Sequence, residues 1–274
     1  MNQPPTDQPV PLARHHVEFV MGMAVSIDLL DPTGPEPLAA VITWLHQVDA
    51  TYSTYKPESP ISRLGLGELT LNDMTPEVLG VLAMCEEITV DTNGAFDALS
   101  VPAPNGCRFD PSGLVKGWSI ERAAEILESF GIANFCINAG GDIAVRGHNA
   151  EGKPWRIGIR HPDQADASAA VVDLPERHAI ATSATYERGA HIIDPATGEP
   201  TTDLASVTII GPDLTYADAY ATAVFVMGVD GLTWLQERHP DYAGFVITRQ
   251  DTTYQTPNFA AYVSQQPQGS DQHP

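Results

Sequence analysis

The sequence predicts an α+β fold, with mixed or antiparallel sheets and packed helices. Three observations carry this. Between residues 134 and 182, β-rich stretches follow one another with no helical pattern between them. Helical patterns stand apart from them, at residues 35–50, 76–92, 118–131 and 216–227. Glycine, proline and aspartate punctuate the strands at short intervals, as tight connections do.

Residues 17–30 alternate and are rich in β-formers, which predicts one strand. Met21-Gly22-Met23 in its middle marks a bulge or a close approach by another group. The helix at 76–92 has Thr75 as its N-cap, Pro76 in the favoured first position and Asn93-Gly94 as a C-cap. In the helix at 118–131, Ile120, Ala123, Ala124 and Leu127 keep the spacing of a buried stripe. Strands are expected at 134–138 and 142–146, joined by Ala139-Gly140-Gly141, and at 155–160, 169–174, 178–182, 207–210 and 244–249. A short helix is expected after 227, to about 237.

The 274 residues are 43% hydrophobic and 18% charged, the balance of a soluble globular protein. Thirty-five acidic against 14 basic residues leave a net charge of −21, which argues against nucleic acid or an anionic membrane as partner. No apolar stretch approaches the ~20 residues of a membrane helix, so no membrane insertion is expected. Cys85, Cys107 and Cys136 are odd in number and widely spaced, and are expected as small apolar core residues. Residues 1–13 and 264–274, rich in Pro, Gln, Ser and Asp, are expected as disordered tails around a single domain at 14–263. The start has neither basic residues nor an apolar run, so a cytoplasmic setting is expected.

Six stretches bear on chemistry, and each also has a structural reading. Ser53-Thr54-Tyr55 through Ser59, Ser62 and Arg63 is a hydroxyl-rich loop, or an ordinary turn. Gly94-Ala95-Phe96-Asp97 offers an aromatic to stack on a planar ligand and an acid for its edge, or a buried ring with a helix cap. Asp110 to Gly117 offers Ser112-Gly113 as free backbone before a helix and Lys116 for an anion, or a loop with an exposed lysine. Asn138-Ala139-Gly140-Gly141-Asp142 brings backbone amides close to a ligand, or is a two-glycine hairpin turn. Thr182-Ser183 with Arg188 and His191 to Gly198 holds a histidine whose ordinary pKa near ~6.5 suits a general base, or a turn with a structural histidine. Asp218 and Thr222 lie four apart on a predicted helix, so they share a face with Cβ atoms ~5–6 Å apart. A carboxylate and a hydroxyl together are hard ligands of the kind magnesium prefers; a helix-dipole partner and a back-bonded threonine are the alternative.

In this order the stretches resemble the ApbE family of flavin transferases, over residues 17 to 250. The resemblance rests on Met21-Gly22, Ser53-Thr54-Tyr55, Ile61-Ser62-Arg63-Leu64, Gly94 to Asp97, Asp110 to Gly117, Asn138 to Asp142, Thr182-Ser183, His191 to Gly198, Ala217 to Ala223 and Phe225 to Gly228. Met23 and Ala184 depart from the threonine and glycine usual there.

The resemblance implies an ApbE-like, T-fold-related architecture and an FAD:protein FMN transferase. FAD would be the substrate, and its FMN part would pass to a threonine or serine hydroxyl of an acceptor flavoprotein, with AMP released. It implies magnesium held by Asp218, Thr222 and the Gly113 carbonyl. FAD would be held by Met21, Ala95, Phe96, Asp97, Asp110, Lys116 and a backbone contact at Ile192. His191 matches the candidate base, and Lys116 and Asp218 complete the catalytic set. An FAD pyrophosphatase releasing FMN and AMP, and a carrier that binds FAD without chemistry, are the alternatives.

Overall fold

The structure, a computed structural model, describes residues 14–99, 109–164, 166–184 and 192–264. Its first element corrects the single strand expected at 17–30. β1 (Arg14–Val20) and β2 (Met23–Leu29) pair antiparallel with Val20 opposite Met23, so Met21-Gly22 is a two-residue turn. Both turn residues have positive φ, 54° and 73°, which matches the twist of a tight hairpin. The glycine in mid-strand marked this reversal.

β3 (Phe135–Ala139) pairs with β2 and with β4 (Asp142–Arg146), and Gly140-Gly141 forms the second tight turn at φ 61° and 103°. The two hairpin tips are neighbours, since a Cβ on Gly140 would lie 3.4 Å from Met23 Sδ. β7 (Arg177–Ala184), β8 (Leu204–Gly211), β9 (Ala243–Thr248) and β10 (Thr253–Gln255) complete a sheet in the order β1-β2-β3-β4-β7-β8-β9-β10. All its neighbouring strands run antiparallel. β5 (Trp155–Arg160) and β6 (Ser168–Leu174) form a separate hairpin.

Strand alternation sorts side chains between two cores. Ala144, Ala181 and Ile209 face helices α1 (Glu36–Tyr52), α4 (Ser112–Ser129) and α5 (Leu214–Met227). Ile143, Val145 and Ile180 face β5–β6 and the turn at Phe259. β8 is buried along its whole length, as a strand covered on both faces must be. A third, mostly helical core joins α1, α2 (Pro60–Gly65), α3 (Pro76–Asp91), α4 and α5 through Val48, Ile61, Val81, Trp118 and Ala219. α6 (Gly231–Arg238) follows α5. Cys85 and Cys136 are buried free thiols, and burial pushes both up to about 12, so neither offers a thiolate near neutral pH. Cys107 lies outside the described residues.

The helix expected at 118–131 begins six residues earlier, at Ser112. Asp110 Oδ1 accepts the Ser112 N–H at 3.0 Å, which turns the chain into the helix there. Gly113 and Gly117 therefore sit inside the helix rather than ahead of it.

Candidate functional site

α4 and α5 cross where Gly117 lets them touch. A Cβ on Gly117 would lie 2.4 Å from Leu214 O and 2.8 Å from Asp218 Cβ. The space left by the missing side chain also admits a direct bond: the Gly117 N–H donates to Asp218 Oδ2 at 2.9 Å. Gly117→Ala is therefore expected to overpack this crossing and lower stability by about 1–3 kcal/mol, even though alanine suits a helix better than glycine. A thermal melt checks it; an unchanged or raised midpoint would rule the crossing out as the tight point.

One turn earlier on α4, a Cβ on Gly113 would lie 3.2 Å from Phe96 Cε2 and 3.7 Å from Thr222 Oγ1. Gly113, Thr222 and Phe96 thus meet, although they come from three separate stretches. Thr222 lies one turn beyond Asp218 on α5, and its Oγ1 is 3.4 Å from Ser183 Oγ at the end of β7.

Lys116 lies between two carboxylates. Its Nζ is 2.7 Å from Asp142 Oδ2 and 3.6 Å from Asp218 Oδ1. Both acids are buried, at 1% and 3% exposure. Asp142 is the first residue of β4, directly after the Gly140-Gly141 turn, and its Oδ1 accepts the Thr182 N–H at 3.0 Å. Burial pushes the Asp218 carboxyl up; the Lys116 ammonium opposes this, Asp142 adds to it, and the Gly117 N–H opposes it.

The expected FAD contacts are placed as follows. Met21 packs against both helical cores, and Ser119 Oγ lies 3.9 Å from its sulfur. Phe96 is buried, its N–H donates to Thr92 Oγ1 at 3.1 Å, and Ala95 before it is half-buried. Asp97 Oδ1 accepts the Leu99 N–H at 2.8 Å. Ile192 is buried, and its carbonyl accepts the Thr201 N–H at 3.0 Å. His191 and Arg188 lie outside the described residues. Ser59 and Ser62 are structural: both hydroxyls donate to Ser53 O, and Ser59 also caps α2.

Three residues at this centre stand in the stretches singled out by the sequence but were given no role of their own there. Asp142 stood inside a stretch read for its glycines, and an acid opening an apolar strand was the available signal. Gly117 looked like the end of a loop. Ser183 carried no signal for its approach to Thr222, which only the β7–α5 packing creates.

An antiparallel sheet backed by helices in this order has known relatives. The profile of the ApbE family matches residues 21–105 and 100–246. The chain belongs to the ApbE family. It is 35% identical over 188 residues to the FAD:protein FMN transferase of Haemophilus influenzae, covering 65% of this chain and 54% of that one. It is 34% identical over 167 residues to the FAD:protein FMN transferase of Escherichia coli (strain K12), covering 56% and 47%. The chain thus spans about half the length of these relatives. The fold is shared with the flavin transferase ApbE from Vibrio cholerae, at TM-score 0.80 and 24% identity over 91% of this chain and 99% of that one. It is shared equally with the ApbE protein from Thermotoga maritima, at TM-score 0.81 and 23% identity over 92% and 100%. Among the described residues no helix is long and apolar enough to cross a membrane.

Proposed function

We propose that this chain transfers FMN from FAD to a threonine or serine hydroxyl of a target protein, in a magnesium-dependent reaction that forms a phosphoester and releases AMP. The observation that carries the proposal is the meeting of Gly113 and Thr222 beside Asp218 and Lys116, where α4 and α5 cross. Membership of the ApbE family, and the name its relatives share, support the same reading.

The residues at the crossing fit magnesium. Among the described residues no group of three or more His, Cys, Asp or Glu side chains could hold a metal ion, so a cage of such side chains is not on offer. Magnesium needs no such cage: it takes one or two carboxylates, other oxygens, water and substrate phosphates. Asp218, Thr222 and the Gly113 carbonyl supply oxygens of those kinds, and they are the proposed ligands. Bound there, the ion would neutralise charge on the pyrophosphate as the P–O–P bond breaks.

The chain's own residues then have separate tasks. Lys116 acts on the phosphates as a point charge. Met21, Ala95, Phe96, Asp97, Asp110 and Ile192 hold the dinucleotide, with Phe96 already fixed against Gly113. The target hydroxyl attacks the FMN-side phosphorus, its proton passes to His191, and AMP leaves with the bonding pair. General-base help of this kind is typically worth ~10²–10⁴-fold.

Mass spectrometry of cellular flavoproteins, with and without the gene, tests the proposal. The expected result is an FMN phosphoester on a threonine or serine that disappears without the gene. Free FMN and AMP from FAD, with no protein-bound flavin for any acceptor, would overturn it in favour of hydrolysis.

A further inference from the structure

We infer that Asp142 is a positioning residue that keeps the Lys116 ammonium off Asp218, leaving the Asp218 carboxylate able to hold a divalent cation. The inference rests on the magnesium assignment proposed above and adds a residue to it.

The distances set the direction. Lys116 Nζ makes its shorter ion pair with Asp142 Oδ2, at 2.7 Å, and its longer one with Asp218 Oδ1, at 3.6 Å. Asp142 is held in place independently of the lysine. It opens β4 after a turn that only positive φ permits, it is 1% exposed, and its other oxygen takes the Thr182 N–H at 3.0 Å. Lys116 is the member with reach: its ammonium ends a flexible four-carbon stem and its side chain is 23% exposed.

Among the described residues, Asp218 has a fixed backbone partner on one side. Its Oδ2 receives the Gly117 N–H, and its Oδ1 faces the lysine. Were Asp142 uncharged, the ammonium would lose the nearer of the two carboxylates described beside it and close on Asp218 Oδ1. A cation would then have to break a buried ion pair before binding, and such pairs are costly to break. Two carboxylates sharing one lysine therefore keep one of them open, which a single Asp–Lys pair would not.

The test uses the full chain with FAD saturating each variant, so that the Lys116 contact to the phosphates does not enter, and Mn²⁺ as the probe, its binding read by electron paramagnetic resonance. Asp142→Asn retains an oxygen for the Thr182 N–H while removing the charge. It is expected to weaken Mn²⁺ binding by about tenfold or more, a coupling of ordinary size for contacting residues. Lys116→Met alone is expected to change Mn²⁺ affinity by less than about threefold, because Asp142 already holds the ammonium away. Asp142→Asn in the Lys116→Met background is expected to cost less than about threefold as well.

A weakening by Asp142→Asn that persists without the lysine means that Asp142 acts through its own charge, and overturns the inference. Unchanged affinity in Asp142→Asn overturns it too. Should Asp142→Asn not fold, Lys116→Met decides. Tightening of about tenfold or more would mean the lysine competes for Asp218 even beside Asp142, and overturns the inference; a small change supports it. Failure of the magnesium assignment is separately visible: wild type would bind no Mn²⁺ with FAD, or Asp218→Asn would bind it equally well, and both readings would fall.

Discussion

Asp218→Asn is expected to lower magnesium-dependent flavin transfer by about 10³-fold or more while the chain stays folded, because a catalytic metal contributes several kcal/mol to the transition state. Asparagine keeps nearly the volume of aspartate and an oxygen for the buried Gly117 N–H, so the α4–α5 crossing survives. Alanine would orphan that N–H, at a cost of about 1–3 kcal/mol, and would mix a folding defect into the result. Lys116 does not become an unpaired cation in the variant, since Asp142 remains 2.7 Å away. FAD binding without metal is expected to persist.

The wild type should also carry a pH signature. Burial pushes the Asp218 carboxyl above the ordinary carboxylate range, and a metal ligand must be ionised. Binding of magnesium at Asp218, as proposed, would therefore displace a proton, so affinity is expected to rise with pH, and Asp218→Asn should lose that component. Titration calorimetry in two buffers of different protonation enthalpy reads the proton release directly. Turnover within threefold of wild type, or metal binding in the variant with an unaltered pH dependence, would remove Asp218 from the metal set.

Much of the frame was legible because its signals are local. Thr75-Pro76 opens α3, with the Thr75 hydroxyl accepting the Val78 N–H, and Asn93-Gly94 closes it with both residues at positive φ. Gly140-Gly141 likewise marks its own hairpin. The errors fall where a distant contact decides. Residues 17–30 keep one alternation throughout, and nothing but Gly22 announces that the chain reverses there. Gly113 and Gly117 read as loop residues by propensity, yet each is a space that Phe96 and Thr222, or Leu214 and Asp218, occupy from outside. That Asp218 and Thr222, the proposed metal ligands, share one face of α5 was visible from their spacing, whereas the Lys116–Asp142 pair was not. Those two residues are 26 positions apart on different elements, and only the fold of β4 against α4 joins them.

Arg146→Ala is expected to destabilise the chain by about 3–5 kcal/mol, the cost of removing one partner from a buried ion pair. Arg146 ends β4 at 3% exposure, in contact with Glu121 Oε1 and, through Nε, with Glu128 Oε1 at 3.1 Å. Glu121 is 4% exposed on α4, and its Oε2 accepts the Leu214 N–H at 3.1 Å. That N–H is the first of α5, so the pair anchors the start of the helix that carries Asp218 and Thr222. Arg177 lies 3.6 Å from the same Glu121 oxygen, but its side chain is 53% exposed and screening limits what it can replace. Burial already pushes the Glu121 carboxyl up, with Arg146 and the Leu214 N–H opposing. Without the arginine it rises further. A carboxyl raised on folding stabilises fully below its unfolded pKa and loses that contribution as pH rises through its folded value. The deficit of Arg146→Ala against wild type should therefore be smallest in acid and grow toward neutral pH. Urea unfolding at several pH values measures it. A deficit under about 1 kcal/mol, or one that does not vary with pH, would mean that the pair neither anchors α5 nor leaves Glu121 as an uncompensated buried charge.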